Sequence, residues 1–249
     1  MAKSSGLGQA LYVGGYDLSG DIGSISGARG SWTLLDVTGI DKSAPERIGG
    51  LRDGSIAFAA WYNVTAGQAH PVLKALPTAD TQVMWVDAGA AIGSQAAAIV
   101  GKQIDYAGAR AQDGSLAMSV DVQGSDGTGL SWCEMLTAGK RTDTTATNGT
   151  GLDYGAASTA FGMTAYLQVF SVTGTSVTVA LQDAATEPTY AAITGGAFAA
   201  ATPAGSPQTQ RISTATGATI RQYVRVVTTG TFSNAVFAVA FIRHLTSTI

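Results

Sequence analysis

An all-β fold is predicted by three observations. Val, Ile, Thr and aromatic residues recur in short runs, those runs alternate apolar with polar side chains, and Gly, Asp-Gly and Ser-Gly punctuate them in place of helix-period patterns. The clearest alternating stretches are Trp32–Val37, Ser55–Trp61, Gln82–Val86 and Ser115–Val122. In the last, Leu116, Met118, Val120 and Val122 share a face, because side chains alternate across a pleated strand. Asp-Gly pairs at 53–54, 113–114 and 126–127 border these runs and read as turns, where Gly tolerates positive φ. Residues 67–76, with Val72, Leu73 and Leu76 grouped, predict one short helix following Pro71.

From about 138 to 160 the chain turns polar and small, TAGKRTDTTATNGTGLDYGAAST, without strand alternation. This predicts a β-sandwich domain over 1–140, a linker over 141–160 and a second antiparallel β-sandwich over 161–249. In the second, Ala165–Val172 and Ser176–Leu181 flank Thr173-Gly174-Thr175 as a hairpin would. Another hairpin is expected from Ile220–Val227 and Ala235–Arg243. Weaker strands near 190–194 and 209–213 complete a sandwich, with 195–209 as a loop. Arg221, Tyr223 and Arg225 alternate onto one strand face, as on a solvated or subunit-contact surface.

Composition restricts the partners. Of the 249 residues 45% are hydrophobic, enough for a large core, while only 12% are charged, about half the usual share. So little charge on so large a protein suggests that neighbouring copies cover much of the surface. Residues 1–140 hold 9 Lys/Arg against 13 Asp/Glu, net −4, and 141–249 hold 5 against 4, net +1. Neither half has the positive excess that grips phosphates, so stable nucleic-acid binding is disfavoured. Cys133 is alone, which removes a disulfide framework. The first residues, interrupted by Gly6, Gly8, Gly14 and Gly15, do not read as a signal peptide, and the longest apolar runs, near 56–62 and 234–242, are too short for a helical membrane span. Assembly in a cytoplasm, with no membrane partner, is the expectation.

Catalytic chemistry finds little support. His70 and His244 are the only histidines and form no HxxxH or HxH pattern, and no GxSxG or Walker-type glycine loop occurs. Cys133 beside Trp132 reads as a small buried hydrophobe. The carboxylate pairs Asp17 with Asp21 and Asp121 with Asp126 have turn composition, which outweighs a glycosidase reading. No enzyme, metal or cofactor is expected.

One ordered set of motifs carries a family resemblance. Tyr16-Asp17-Leu18-Ser19-Gly20-Asp21 is followed by Asp36-Val37-Thr38, and then by Glu46-Arg47-Ile48-Gly49-Gly50-Leu51-Arg52-Asp53-Gly54 ahead of a strand. This order resembles the opening of tail tube and major tail proteins of long-tailed bacteriophages, especially those of actinobacteria. The resemblance implies a β-sandwich subunit of the phage tail, polymerising as stacked, usually hexameric, rings. Each copy would extend a long hairpin into a common inner barrel, through which genomic DNA passes without stable binding. Tape measure, tail terminator and baseplate proteins are the further partners it implies, and the virion tail is the location.

Mapped onto this chain, strands 31–40 and 55–62 become the hairpin arms and 41–54 the connecting loop. That loop carries Asp41, Lys42, Glu46, Arg47, Arg52 and Asp53, which stand either as a solvated tip or as an inter-ring contact. Tyr16, Asp17 and Asp21 form a second contact candidate, or an ordinary structured turn. Asp36 interrupts an apolar arm and is the residue expected to face the channel. The alternative is a β-sandwich module binding carbohydrate or a receptor on a phage tail or bacterial surface.

Overall fold

The computed structural model describes residues 5–76, 79–87 and 91–246. In chain order its strands are β1 Ala10–Val13, β2 Tyr16–Asp17, β3 Ile22–Asp36, β4 Arg47–Trp61, β5 Thr81–Val86, β6 Gln95–Arg110, β7 Leu116–Gly124 and β8 Ser131–Met135. They continue with β9 Arg141–Asp143, β10 Leu152–Asp153, β11 Met163–Ala184, β12 Ala191–Ala197, β13 Gln208–Ser213 and β14 Tyr223–Arg243. Among the described residues one α-helix, α1 Ala69–Leu73, falls inside the span predicted for it. The fold class is all-β, and every strand pairing with a described register is antiparallel.

The chain divides into two compact units that interleave in sequence. One comprises residues 1–20, 84–98 and 132–249, the other 21–83 and 99–131. A single cut near 140 does not separate them. Residues 141–160, expected as a linker, belong to the first unit: β9 and β10 both pair with β14, and the isolated bridge Asn148 to Val227 lies between them. Their small polar composition reflects short edge segments fixed by side chains. Arg141 donates to both carboxylate oxygens of Asp143 at 2.8 Å, and Thr228 Oγ1 donates to Asp143 Oδ2 at 2.6 Å.

Within the first unit, the two expected hairpins straighten into one ribbon. β11 is a single 22-residue strand and β14 a single 21-residue strand, and they pair along almost their whole length. Thr173-Gly174-Thr175 is therefore a bulge within a strand. Gly174 (φ +123) faces Phe232, and a Cβ on it would meet the Phe232 Cα at 2.6 Å. Gly230 (φ +122) lies near it on the partner strand. Extra residues shift the alternation: the core takes Met163, Ala165, Leu167 and Val169, then Val172, then Val177, Val179 and Leu181 from β11. From β14 it takes Val224 and Val226 before the irregularity and Ala235, Phe237, Val239 and Phe241 after it. Bulges add a residue to one strand and bend it, so both halves of the ribbon contribute to one core.

The second unit centres on a four-stranded order β3-β4-β7-β6. Ile56, Phe58 and Ala60 of β4 stand opposite Val122, Val120 and Met118 of β7, and all six are buried. Gln103, on the same face of β6, donates to the Leu73 carbonyl at 2.7 Å, tying the end of α1 to that side. The helix lacks a side-chain cap from its own Gln68, and Asp21 supplies one from a distance: Oδ2 accepts from the Ala69 amide at 2.9 Å and Oδ1 from Asn63 Nδ2 at 2.8 Å. The opposite face of the sheet is small and polar, with Ser55, Ala57 and Ala59 beside Asp121, Ser119, Asp105 and Ala107.

Candidate assembly interface

β3 and β4 form a hairpin of two 15-residue strands, registered from Ile22↔Ala60 to Asp36↔Arg47. The arms are longer and the connection shorter than the sequence suggested: residues 37–46 link them, and Gly49, Gly50 and Gly54 lie within β4. Gly54 marks a close backbone approach. A Cβ there would sit 2.3 Å from the Leu130 amide nitrogen, so the Asp-Gly pair that reads as a turn is a position where only glycine fits.

The inner part of the hairpin joins the sheet through β7. The outer part is exposed on both faces: from Trp32 to Asp53, only Gly39, Gly50 and Arg52 are less than exposed. Its apolar side chains are large. Leu51 is 82% exposed and Leu34 63%, Ile40 is fully exposed at the turn, and Trp32, Leu35, Val37 and Ile48 are about half exposed. Leu35 and Ile48 face each other across the strands, as do Asp36 and Arg47. Two-stranded ribbons are marginal in water without further packing, and exposed apolar surface of this kind makes the arm a candidate contact surface.

Charges decorate this arm. Asp36, at the end of β3, accepts from the Thr38 amide at 2.9 Å and from Thr38 Oγ1 at 2.5 Å. These bonds hold its carboxyl below the usual range although the group is fully exposed. Lys42 reaches Glu46 at 3.4 Å and Asp41 at 4.0 Å in the connection, exposed ion pairs that contribute little to stability. Arg47, Arg52 and Asp53, expected in the loop, lie in β4, and Arg52 stacks over Trp32.

The remaining candidates belong elsewhere. Tyr16 and Asp17 form β2 in the first unit, paired with β1. Asp17 accepts from the Ser19 amide at 3.1 Å and pairs with Lys140. Burial pushes its carboxyl up, but Lys140 and Ser19 outweigh that and leave it below the usual carboxylate range. Asp21 is buried, its carboxylate committed to α1.

No family model matches the chain, and no curated relative does. Among solved structures, it is similar to the tail of an empty GTA particle determined with helical refinement in C6 symmetry, at 14% identity over 53% of this chain and 98% of the other, with a TM-score of 0.39. It is also similar to the SPP1 Dit protein, described as a paradigm of the hub adsorption apparatus in phages infecting Gram-positive bacteria. That match has 12% identity over 95% of this chain and 99% of the other, with a TM-score of 0.34.

Sequence reasoning missed the apolar arm as a surface. The signal was present: Leu34 and Leu35 are neighbours, so a strand through them is apolar on both faces, and such strands are covered on both sides.

Proposed function

We propose that this chain is a non-enzymatic structural subunit of a bacteriophage tail, whose copies join through the β3–β4 arm into stacked rings that form a tail tube. The observation that carries the reading is the outer hairpin, a ribbon with Trp32, Leu34, Leu35, Ile48 and Leu51 exposed on a protein otherwise poor in charge. Apolar ribbons of this kind are stabilised by burial in a neighbour, and open strand edges are templates for another copy. The edge is available: in the described pairings β3 pairs only with β4. The motif order from Tyr16 to Gly54 adds the phage tail tube as the kind of assembly, and with it a long-tailed phage of actinobacteria and hexameric rings. The tail terminator, tape measure and baseplate are then neighbours, and assembly takes place in the host cytoplasm.

In this reading the tube conducts DNA during ejection. The acidic positions available to face it are Asp36 on the arm and Asp105 and Asp121, which stand directly opposite each other on the small-residue face. Like charges so placed cost stability, and they repel phosphates.

Negative-stain electron microscopy of the purified protein tests the proposal. Stacked rings of uniform diameter are expected, and dispersed particles at every concentration tried would overturn it.

A further inference from the structure

The first unit holds a cleft of about 280 Å³ lined by Gln9, Trp85, Asp87, Gln95, Ala96 and Trp132. Two indoles form its apolar wall. Trp85 and Trp132 meet edge to face, their centroids 6.2 Å apart and their planes at 69°, and Trp132 is 53% exposed. Polar groups surround them. Gln9 Nε2 donates to Asp87 Oδ1 at 3.2 Å, the Asp87 amide donates to the Gln95 carbonyl at 2.9 Å, and Gln95 Nε2 lies 3.4 Å from Glu134 Oε1.

We infer that this cleft is a binding site for a single neutral pyranose, such as a hexose or N-acetylhexosamine of a cell-surface or capsular glycan. The chemistry of the lining selects that class. A pyranose is apolar on its C–H face and polar around its edge, and an exposed indole matches the first while amides and a carboxylate match the second. Gln offers both donor and acceptor, and Asp accepts, so vicinal hydroxyls find complementary partners. The volume lies at the small end of ligand sites, which suits one ring rather than an extended chain. Charge narrows the class further: Asp87 lines the cleft, Glu134 sits beside Gln95, and no Lys or Arg is among the described lining residues. Uronic acids and phosphorylated sugars are therefore disfavoured. The six described lining residues lie in the first unit and the hairpin arm in the second, so the cleft shares no residue with the proposed assembly surface.

Saturation-transfer difference NMR on the full chain tests this in either soluble or tubular form. The probes are methyl β-glucoside, methyl β-galactoside and N-acetylglucosamine. Affinity of about 1 mM is expected for a ligand of about a dozen heavy atoms. Ring protons of at least one probe should be saturated, and Trp132→Ala should weaken binding by about fivefold or more. Val64→Ala, at an exposed position outside both the cleft and the hairpin arm, should leave the signal unchanged. Absence of transfer to all three probes, or equal transfer in Trp132→Ala, overturns the site. Electron microscopy of the same samples separates the two proposals: saturation lost with tubes intact supports a sugar site. Tubes lost in Trp132→Ala, with no saturation in the parent protein, makes Trp132 an assembly contact and overturns it.

Discussion

Trp32 and Arg52 stand directly opposite one another in the hairpin, with the guanidinium carbon 5.6 Å from the indole centroid. The stack leaves Trp32 about half exposed, so the pair presents an aromatic and a cation together on the arm. Such pairs anchor interfaces. Arg47→Glu combined with Arg52→Glu should shorten or abolish tubes seen by electron microscopy. The subunit's own stability should change by less than about 0.5 kcal/mol, because both side chains sit on a largely exposed ribbon. Unaltered tube length would remove the arm from the contact.

Ile40 and Leu51 test the apolar component without touching charge. Leu51→Ser and Ile40→Ser should raise the concentration at which copies associate, measured by sedimentation velocity, while circular dichroism stays that of the parent chain. Neither side chain is buried in the subunit, so neither supplies core packing.

Gly174 is one of two tightly constrained glycines of the long ribbon, with Gly230. Gly174→Ala places a Cβ against the Phe232 Cα in a backbone region that L residues rarely adopt. A loss of about 1–3 kcal/mol in urea unfolding is expected. Gly217, also at positive φ but in open space, should cost less when replaced by Ala, since only the backbone preference is lost.

Asp21→Ala should destabilise by about 1–3 kcal/mol, because the Ala69 amide and the Asn63 side chain both lose their acceptor. Hydrogen exchange at Ala69 should accelerate first. Asn at the same position retains one acceptor and should recover part of the loss.

Two groups near β1 and β2 set opposite pH limits. Asp17 has a lowered folded pKa, so its contribution is present above the unfolded carboxylate range and is lost as pH falls through the folded value. Lys140→Ala should move the acid unfolding midpoint to higher pH. Burial, with the charge of Asp17 behind it, raises Tyr12 from 10.0 to about 12. Its contribution is whole below pH 10 and declines as pH rises through about 12, because the unfolded chain ionises first. Tyr12→Phe should remove that alkaline limb from a pH titration of unfolding.

Much of the architecture was legible where one face of a strand is buried. Met118, Val120 and Val122 alternate in the sequence and line the core in the structure, and Leu73 falls in the one helix. The errors arose where glycine has two meanings. Gly54 and Gly174 sit in turn-like contexts, yet each serves a close approach inside a strand, and the partner that approaches, Leu130 or Phe232, is remote in sequence. Domain limits were illegible for a related reason: β5 and β6 each run from one unit into the other, with no change of composition at the crossing. At the candidate interface, the charged residues were evident as a cluster, whereas Arg47, Arg52 and Asp53 could be placed on β4 only through their partners Asp36, Trp32 and Ser31.

The alternation along β14 slips by one residue at Ser233, an exposed residue that the register with β11 skips. It is an extra beat in the rhythm of the strand. With Ser233 deleted, Phe232 and Ala235 would stand two residues apart, and Val224, Val226, Phe232 and Ala235 would all still turn inward along an unbroken strand. A one-residue loss at this point would spare both halves of the core, whereas the same loss at a regularly paired position would reverse every side chain on one side of it.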